Sequence, residues 1–313
     1  MTEQKPWYKR TSTILIGAAL VVVAALFIIA NNQSEAAAPT EVSSSPTYQP
    51  VDSAAHDEQP ASAVDGSRLK QFIESKQTPA IDASNLANQI NSIMAANPDI
   101  IFGVSIKYLN DGTTYNYGDQ EPFTAASTTK VLTATDYLKQ VELGNRSLDQ
   151  VMPDGNTAQY DLEQMIIVSD NNAWHVLNEN LGYTQLQDYA VSIGLNSYYY
   201  GDNVINVADM TKLLADMYQR LLINEDHTQL LLSYMERANY RDLIIPAVPE
   251  HDTVYHKAGE YAGNLHDATI ITNSTHTIVL TIFSASLESY SKSRVAGLMQ
   301  QMTTPTLQTF YLN

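Results

Sequence analysis

The chain has 313 residues, 44% of them apolar, so it is long enough to bury a sizeable core. Its net charge of −17, from 17 basic and 34 acidic residues, repels phosphate backbones, so we expect no nucleic-acid partner. The absence of cysteine excludes disulfides, thiolate nucleophiles and Cys-ligated zinc sites.

The N-terminal residues predict a membrane anchor. Lys5, Lys9 and Arg10 precede an apolar run of 17 residues from Ile14 to Ala30, which as a helix would span about 25 Å. Positive charges before the run place the N-terminus inside the cell and the remainder outside. A signal peptide cleaved near Ala36 is the alternative, but the run exceeds the usual signal core of roughly 7–15 residues. We therefore predict a single-pass cell-membrane protein.

The apolar run and the composition divide the chain into four segments. Residues 1–13 would be cytoplasmic, and residues 14–30 would form the transmembrane anchor. Residues 31–80 are rich in Ser, Ala, Pro and acidic residues without hydrophobic periodicity, which is typical of a disordered linker. We assign the folded, catalytic domain to residues 81–313.

The pattern within that domain predicts an α+β fold. Leu86, Ile90 and Met94 recur at helical spacing, with Ser84 as a candidate N-cap. A strand over 101–109, a turn at 110–112 and a second strand over 114–117 follow. The later elements, in order, are a mixed helical region over 128–235, strands over 253–257, 268–272 and 277–285, and a helix over 289–302. Strands near both ends predict an antiparallel sheet with a helical subdomain.

Ser127 is the candidate nucleophile and Lys130 its candidate base. A serine is a weak nucleophile until a base takes its proton, and a lysine of lowered pKa is such a base. Three-residue spacing on one helix puts both side chains on the same face. The pattern alone is weak, because Ser67–Lys70 and Ser289–Lys292 also match it. Those two are typical of solvated helix surface, whereas Ser127 follows small residues and precedes an apolar stretch.

Two further polar segments follow apolar stretches. Ser169-Asp170-Asn171 comes directly after the run 165–168, where polar helix caps are the simplest explanation. Lys257-Ala258-Gly259 lies at the end of a predicted strand, where a lone lysine is usually a surface residue. The neighbouring His256 would then lie on the opposite face of the sheet.

The order Ser-x-x-Lys, Ser-Asp-Asn and Lys-x-Gly resembles the class A β-lactamase and penicillin-binding protein superfamily. The similarity extends to 161–173 and 242–249 and covers roughly 85–302. It implies a serine hydrolase that forms an acyl-enzyme with β-lactams or with D-Ala-D-Ala-type peptides, as a β-lactamase or a penicillin-binding peptidase. It implies no cofactor and no metal, and we expect a monomer.

The resemblance also implies roles for individual residues. Ser127 would be acylated, and Lys130 would take its proton or hold it in a network. Ser169 would relay a proton to the departing nitrogen. Lys257 would lower the pKa of Ser169 through its charge and would attract a substrate carboxylate. The remaining substrate-binding residues are Asn171, for the substrate's amide side chain, Ala258 and Gly259, on the Lys-x-Gly strand, and Glu260, whose backbone N–H would form the oxyanion hole with that of Ser127.

Three departures from the family pattern limit these roles. Ala258 replaces a threonine, and the lost hydrogen bond to a substrate carboxylate costs on the order of 1.5–3 kcal/mol. Glu260 places an acid beside the oxyanion site, where it would oppose anionic substrates unless it points away. The loop over 195–204 carries no glutamate to activate a deacylating water, and its only acid is Asp202.

Two other classes of protein are alternatives to a β-lactamase-like hydrolase. A Ser-His-Asp hydrolase would need a Gly-x-Ser-x-Gly elbow, which the sequence lacks, and the scattered histidines include no zinc-binding pair. A catalytically degenerate module that binds cell-wall peptides or a protein partner on the same fold is favoured by Ala258 and by the missing glutamate. It is opposed by the five intact motif residues, Ser127, Lys130, Ser169, Asn171 and Lys257.

Overall fold

A computed structural model describes residues 81–288 and 290–312. The predicted anchor and linker lie outside these residues and stay predictions. Within the described part, none of the helices combines the length and the apolarity that a membrane crossing requires.

The structure begins with helix α1 (Ser84–Ala95), strand β1 (Ile100–Tyr108) and strand β2 (Thr114–Gly118). The predicted turn joins the two strands: Gly112 has φ 79°, and its N–H bonds to the carbonyl of Tyr108 at 2.9 Å. Ser84 is the first helical residue rather than the N-cap, which is Ala83 without a side-chain hydrogen bond. The N-cap assignment was therefore wrong by one position.

The middle of the chain is helical, as its pattern predicts, with two short strands. Its elements, in order, are β3 (Phe123–Thr124), α2 (Lys130–Glu142), α3 (Ala158–Ile167), α4 (Asn171–Leu181), α5 (Tyr183–Ser192), β4 (Val204–Ile205), α6 (Val207–Tyr218) and α7 (Glu225–Glu236). Strands β3 and β4 pair with each other in antiparallel fashion.

The chain then returns to strands, namely β5 (Thr253–Tyr261), β6 (Asn264–Thr272) and β7 (Thr277–Ser286), and it ends in α8 (Lys292–Tyr311). Helix α8 continues through Pro305 with Leu307 and Phe310 buried beyond it, so the predicted end of this helix at 302 was too early. The antiparallel sheet has the order β2-β1-β7-β6-β5. Strands from both ends of the described chain therefore form one sheet with a helical region between them, which confirms the predicted α+β fold.

Each face of the sheet carries its own core. Alternate residues of a strand point to opposite faces, so Ile270 and Phe283 pack with the middle helices, while Ile271 and Ile282 pack with α1 and α8. Strand β5 lies at the edge of the sheet. That edge brings the Lys257 segment beside the turn that precedes α2.

Candidate active site

Ser127 lies in a turn between β3 and α2, not within a regular α-helix. The turn is tight, because the N–H of Thr128 bonds to the carbonyl of Ala125 at 3.2 Å and the N–H of Lys130 bonds to that of Ser127 at 3.3 Å. Ala126 adopts a positive φ of 51°, which few non-glycine residues do. The expectation that Ser127 and Lys130 share one helix face is corrected accordingly: α2 begins only at Lys130.

Asn203 holds this turn from the neighbouring loop. Its Nδ2 donates to the carbonyl of Ala126 at 2.8 Å, and its Oδ1 accepts from Thr129 Oγ1 at 2.7 Å. Its carbonyl accepts from the N–H of Ala125 at 2.8 Å. Sequence reasoning missed Asn203, because nothing in the chain order indicates that the loop over 195–204 contacts the serine turn.

Lys130 is fully buried, and its ammonium contacts three oxygens. Its Nζ donates to the carbonyl and the Oγ of Ser169, at 2.7 and 3.1 Å, and to Asn171 Oδ1 at 2.7 Å. Burial lowers the pKa of Lys130 to about 8, and the charge of Asp170 opposes that shift. Among the described residues, the side chain of Lys130 makes no hydrogen bond to Ser127, so the ammonium faces Ser169 and Asn171 rather than the serine three residues before it.

Ser169 occupies the connection between α3 and α4. Its φ of 62° turns the chain sharply and aims both its carbonyl and its hydroxyl at Lys130. Asp170 caps α4 by accepting the N–H of Ala173 at 2.8 Å. The polar-cap explanation of this segment is therefore right for Asp170, while Ser169 has a different role in the geometry.

Lys257 lies on β5, with 1% of its surface exposed. Its Nζ donates to Ser169 Oγ at 2.9 Å and to the carbonyl of Ala258 at 3.1 Å. Burial is the main cause that lowers the pKa of Lys257 to about 7, followed by the positive charge of Lys130, while Asp267 opposes the shift. Ser169 Oγ therefore lies between two lysines whose ammonium forms are both destabilised.

His256 points to the other face of β5, as the sequence indicates. It is buried, its Nδ1 lies 3.1 Å from Asp267 Oδ1, and its Nε2 lies 3.2 Å from the carbonyl of Ala238. It is thus a core residue and takes no part in the site.

Two backbone N–H groups are placed to stabilise an oxyanion. The N–H of Ser127 donates to no described residue. Ala262 and Gly263, with φ 47° and 83°, form a two-residue hairpin that pairs Tyr261 with Asn264, so the N–H of the preceding Glu260 points to the free edge of β5. A Cβ on Gly259 would lie 2.9 Å from the N atom of Ser127, which shows how closely β5 approaches the turn.

A cavity of about 220 Å³ opens beside Ser127. The predicted residues that line it are Ser127, Ser169, Asn171, Ala258, Gly259 and Glu260, and the unpredicted ones are Tyr240, Leu243, Leu265 and Lys292. Lys130 and Lys257 lie behind Ser169 and reach the cavity through it. The third Ser-x-x-Lys match, Ser289–Lys292, was expected to lie on solvated helix surface, but Lys292 lines the cavity. Ser289 lies outside the described residues.

The carboxylate of Glu260 is already engaged. Tyr290 Oη donates to Glu260 Oε1 at 2.6 Å, and Lys292 Nζ lies 3.4 Å from Glu260 Oε2. The acid therefore turns toward α8 while its backbone N–H stays at the free edge of β5.

The loop over 195–204 brings no carboxylate to the cavity. Asp202 is exposed and is not among the residues that line the cavity, and the neighbouring Asn203 uses its amide to hold the serine turn. Of the described lining residues, Glu260 alone carries a carboxyl group. The arrangement combines a hydroxyl nucleophile, a bridging hydroxyl between two lysines and two N–H donors, which is the equipment for acyl transfer.

Comparison with known proteins supports the same chemistry. The model of the beta-lactamase enzyme family matches residues 85–310, and no curated protein sequence matches. PBP-A is similar at 22% identity and a TM-score of 0.69, over 74% of this chain and 97% of that one. A beta-lactamase from Sphaerobacter thermophilus is similar at 20% identity and a TM-score of 0.67, over 75% and 99%.

A mutant of the last common ancestor of Gram-negative class A beta-lactamases is similar at 20% identity and a TM-score of 0.67, over 72% of this chain and 98% of that one. At these identities the solved structures establish the fold, while the family model spans most of the chain. The protein belongs to the beta-lactamase enzyme family and is a serine hydrolase of the β-lactamase-like type.

Proposed function

We propose that Ser127 is acylated by β-lactams or by D-Ala-D-Ala-type peptides, and that the resulting ester is released slowly. The observation that carries this proposal is the position of Ser169 Oγ, 3.1 Å from Lys130 Nζ and 2.9 Å from Lys257 Nζ, on the wall of the cavity that Ser127 lines. The bridge joins a base of lowered pKa, Lys130, to a proton donor, Ser169, and lies on the same cavity wall as the candidate nucleophile.

In the step we propose, Ser127 Oγ forms a bond to the substrate carbonyl carbon and the amide C–N bond breaks. The serine proton passes through Lys130 and Ser169 to the departing nitrogen, so that no proton is gained or lost. For a β-lactam the nitrogen stays attached to the opened ring. The N–H groups of Ser127 and Glu260 receive the developing oxyanion.

Slow release is supported by what lines the cavity. Activation of a deacylating water needs a general base, and Glu260, which alone carries a carboxylate among the described lining residues, is bound to Tyr290 and Lys292. A mutant of PBP-A is described as an acyl-enzyme complex with penicillin G. We infer from these two observations a penicillin-binding peptidase in preference to an efficient β-lactamase.

We also propose that the catalytic domain works outside the cytoplasm, tethered by residues 14–30. The supporting observation is the apolar run that follows Lys5, Lys9 and Arg10. Protease treatment of intact cells should remove the domain at the linker and leave a membrane-bound stub, whereas release of the whole protein in soluble form would contradict the anchor.

Intact-mass spectrometry after a penicillin pulse tests the acylation. A mass increase equal to the penicillin should appear on the wild type, persist over many minutes and be absent from Ser127→Ala, which keeps the fold. An adduct that decays within seconds indicates a lactamase. No adduct at any concentration overturns the proposal and leaves the non-catalytic binding module as the better explanation.

A further inference from the structure

The mouth of the cavity carries more negative than positive charge. Lys292 Nζ lies 3.4 Å from Glu260 Oε2 and 3.5 Å from Asp242 Oδ2, and its ammonium stands 5.0 Å from the ring centroid of Tyr240. Tyr290 contributes a neutral hydroxyl that donates to Glu260. Burial raises the pKa of Tyr290, and the hydrogen bond to Glu260 and the charge of Glu260 raise it further. One cation therefore faces two carboxylates, which leaves a net charge of −1 at the mouth.

The two inner lysines offset this charge only in part. Neither Lys130 nor Lys257 lines the cavity. The ammonium of Lys130 is used by three oxygens, and that of Lys257 by Ser169 Oγ and the carbonyl of Ala258. Burial lowers the pKa of both, so the positive charge behind Ser169 is reduced near neutral pH.

The only cationic donor on the described wall next to Glu260 is Lys292, which Glu260 and Asp242 already engage. Ala258 carries no hydroxyl, and Leu243 and Leu265 are apolar. In a cavity of about 220 Å³, a carboxylate on a bound acyl donor lies within a few ångströms of Glu260, where like charges repel appreciably.

We propose that Glu260 makes this site selective for acyl donors that bring no carboxylate into the cavity, with a neutral carboxamide or a cationic group in its place. The inference rests on the proposed acylation of Ser127 and ranks its substrates: penicillins and D-Ala-D-Ala-type peptides, which carry a carboxylate, acylate Ser127 more slowly than the same donors with that group amidated. Because 39% of the Glu260 side chain is exposed, solvent screens its charge, so the preference is modest and weakens with salt. Glu260 acts as a specificity-determining residue through its side chain, separately from its backbone N–H.

Two thioesters that differ in one group test the proposal: an N-acyl-D-alanyl thioglycolate and the corresponding thioglycolamide. In each, Ser127 Oγ forms the ester, the C–S bond breaks and the serine proton leaves with the thiol, which is titrated colorimetrically. The thioglycolamide should acylate the wild type about threefold to tenfold faster at low ionic strength. In 0.5 M salt, about five times a usual buffer, the ratio should approach one.

The variant E260Q isolates the charge. A glutamine amide oxygen still accepts from Tyr290, and the backbone N–H is unchanged, so the ratio of the thioglycolamide rate to the thioglycolate rate should fall to one or below. Asp149→Asn is the matched control, since it removes one exposed carboxylate that does not line the cavity, and it should leave the ratio as in the wild type.

The possible results are distinct. A wild type that prefers the thioglycolate, or a ratio unchanged by E260Q, overturns the role of Glu260 and leaves the acylation of Ser127 intact. Failure of both thioesters and of penicillin to acylate the wild type overturns the proposed function together with this inference.

Discussion

The Nζ atom of Lys257 lies 2.9 Å from the Oγ atom of Ser169, although 88 residues separate them in the chain. The contact joins an edge strand to the connection between two helices. It depends on a backbone conformation that serine rarely adopts, because Ser169 has φ 62°. The hydroxyl that contacts Lys257 therefore stands at a position whose backbone conformation favours glycine over serine.

Replacement of Ser169 separates the contribution of its hydroxyl to acylation from the cost of its backbone conformation to stability. Ser169→Gly and Ser169→Ala both lose the hydroxyl between the lysines, and both should lose acylation by penicillin. Glycine tolerates the positive φ and alanine does not, so we expect the glycine variant to be the more stable by about 1 kcal/mol. Urea unfolding and intact-mass labelling measure the two quantities. Equal stability of the two variants would contradict the strain argument, and full labelling of either would contradict the relay.

Lys130 should be required as a group that can lose its proton. Lys130→Arg keeps a positive charge, but arginine stays protonated at any working pH. If Lys130 is the base, acylation by penicillin should slow by at least about 100-fold, while the wild-type rate should rise as the pH passes through the pKa of about 8. An arginine variant that labels at the wild-type rate shows that Lys130 only supplies charge.

The burial of Lys257 should make the protein more stable in mild alkali. The pKa of Lys257 is about 7 in the folded state against 10.5 for the free side chain. Between these values the unfolded chain binds a proton that the native protein lacks, so the free energy of unfolding rises with pH. From pH 7 to pH 9 we expect this rise in the wild type, with Lys130 contributing in the same direction.

Lys257→Met provides the comparison. It should flatten the rise in stability between pH 7 and pH 9 and should increase stability at pH 7, because no charge then has to be buried. Lys212→Met, which removes a lysine that is 44% exposed, should keep the wild-type slope. Urea unfolding at several pH values gives both slopes, and an unchanged slope in Lys257→Met would show that the lysine is not the source.

Gly259 should tolerate no side chain. The Cβ of an alanine there would stand 2.9 Å from the N atom of Ser127 and 3.0 Å from the carbonyl oxygen of Ala125. Either β5 or the serine turn must then move, which separates the two oxyanion donors, and we expect Gly259→Ala to reduce the acylation rate by about 100-fold or more.

Gly297→Ala is the control for this substitution. Gly297 lies in α8 with no atom near the site of its Cβ, so alanine should raise stability slightly and leave acylation unchanged. A Gly259→Ala variant with normal acylation would indicate that the oxyanion is held elsewhere.

The sequence predicts the fold class because the periodicity of its strands and helices is strong at both ends of the domain. It also singles out Ser127, Ser169 and Lys257 through the order of three short segments. The structure places Ser127 and Ser169 on the wall of one cavity, with Lys257 behind Ser169. It could not predict which partner Lys130 contacts, since that depends on the turn at Ser127 and on the positive φ of Ser169.

The sequence also contains no indication of site residues whose contacts form only in the tertiary structure. Lys292 looks like an ordinary surface lysine until α8 packs beside β5 and brings its ammonium to Glu260. Asn203 belongs to a loop whose most noticeable sequence feature is the missing glutamate, and its use becomes visible only when the loop meets the serine turn.

The hydrogen bonds of Asn203 make the position of Ser127 depend on the length of the loop over 195–204. Because this side chain and its carbonyl hold Ala125, Ala126 and Thr129, any insertion into 195–204 that shifts Asn203 also shifts the nucleophile. A lineage that gained a water-activating glutamate by lengthening this loop would first have to rebuild the support of its serine turn. An insertion that adds a water-activating glutamate to this loop must therefore keep Asn203 in place if Ser127 is to stay reactive.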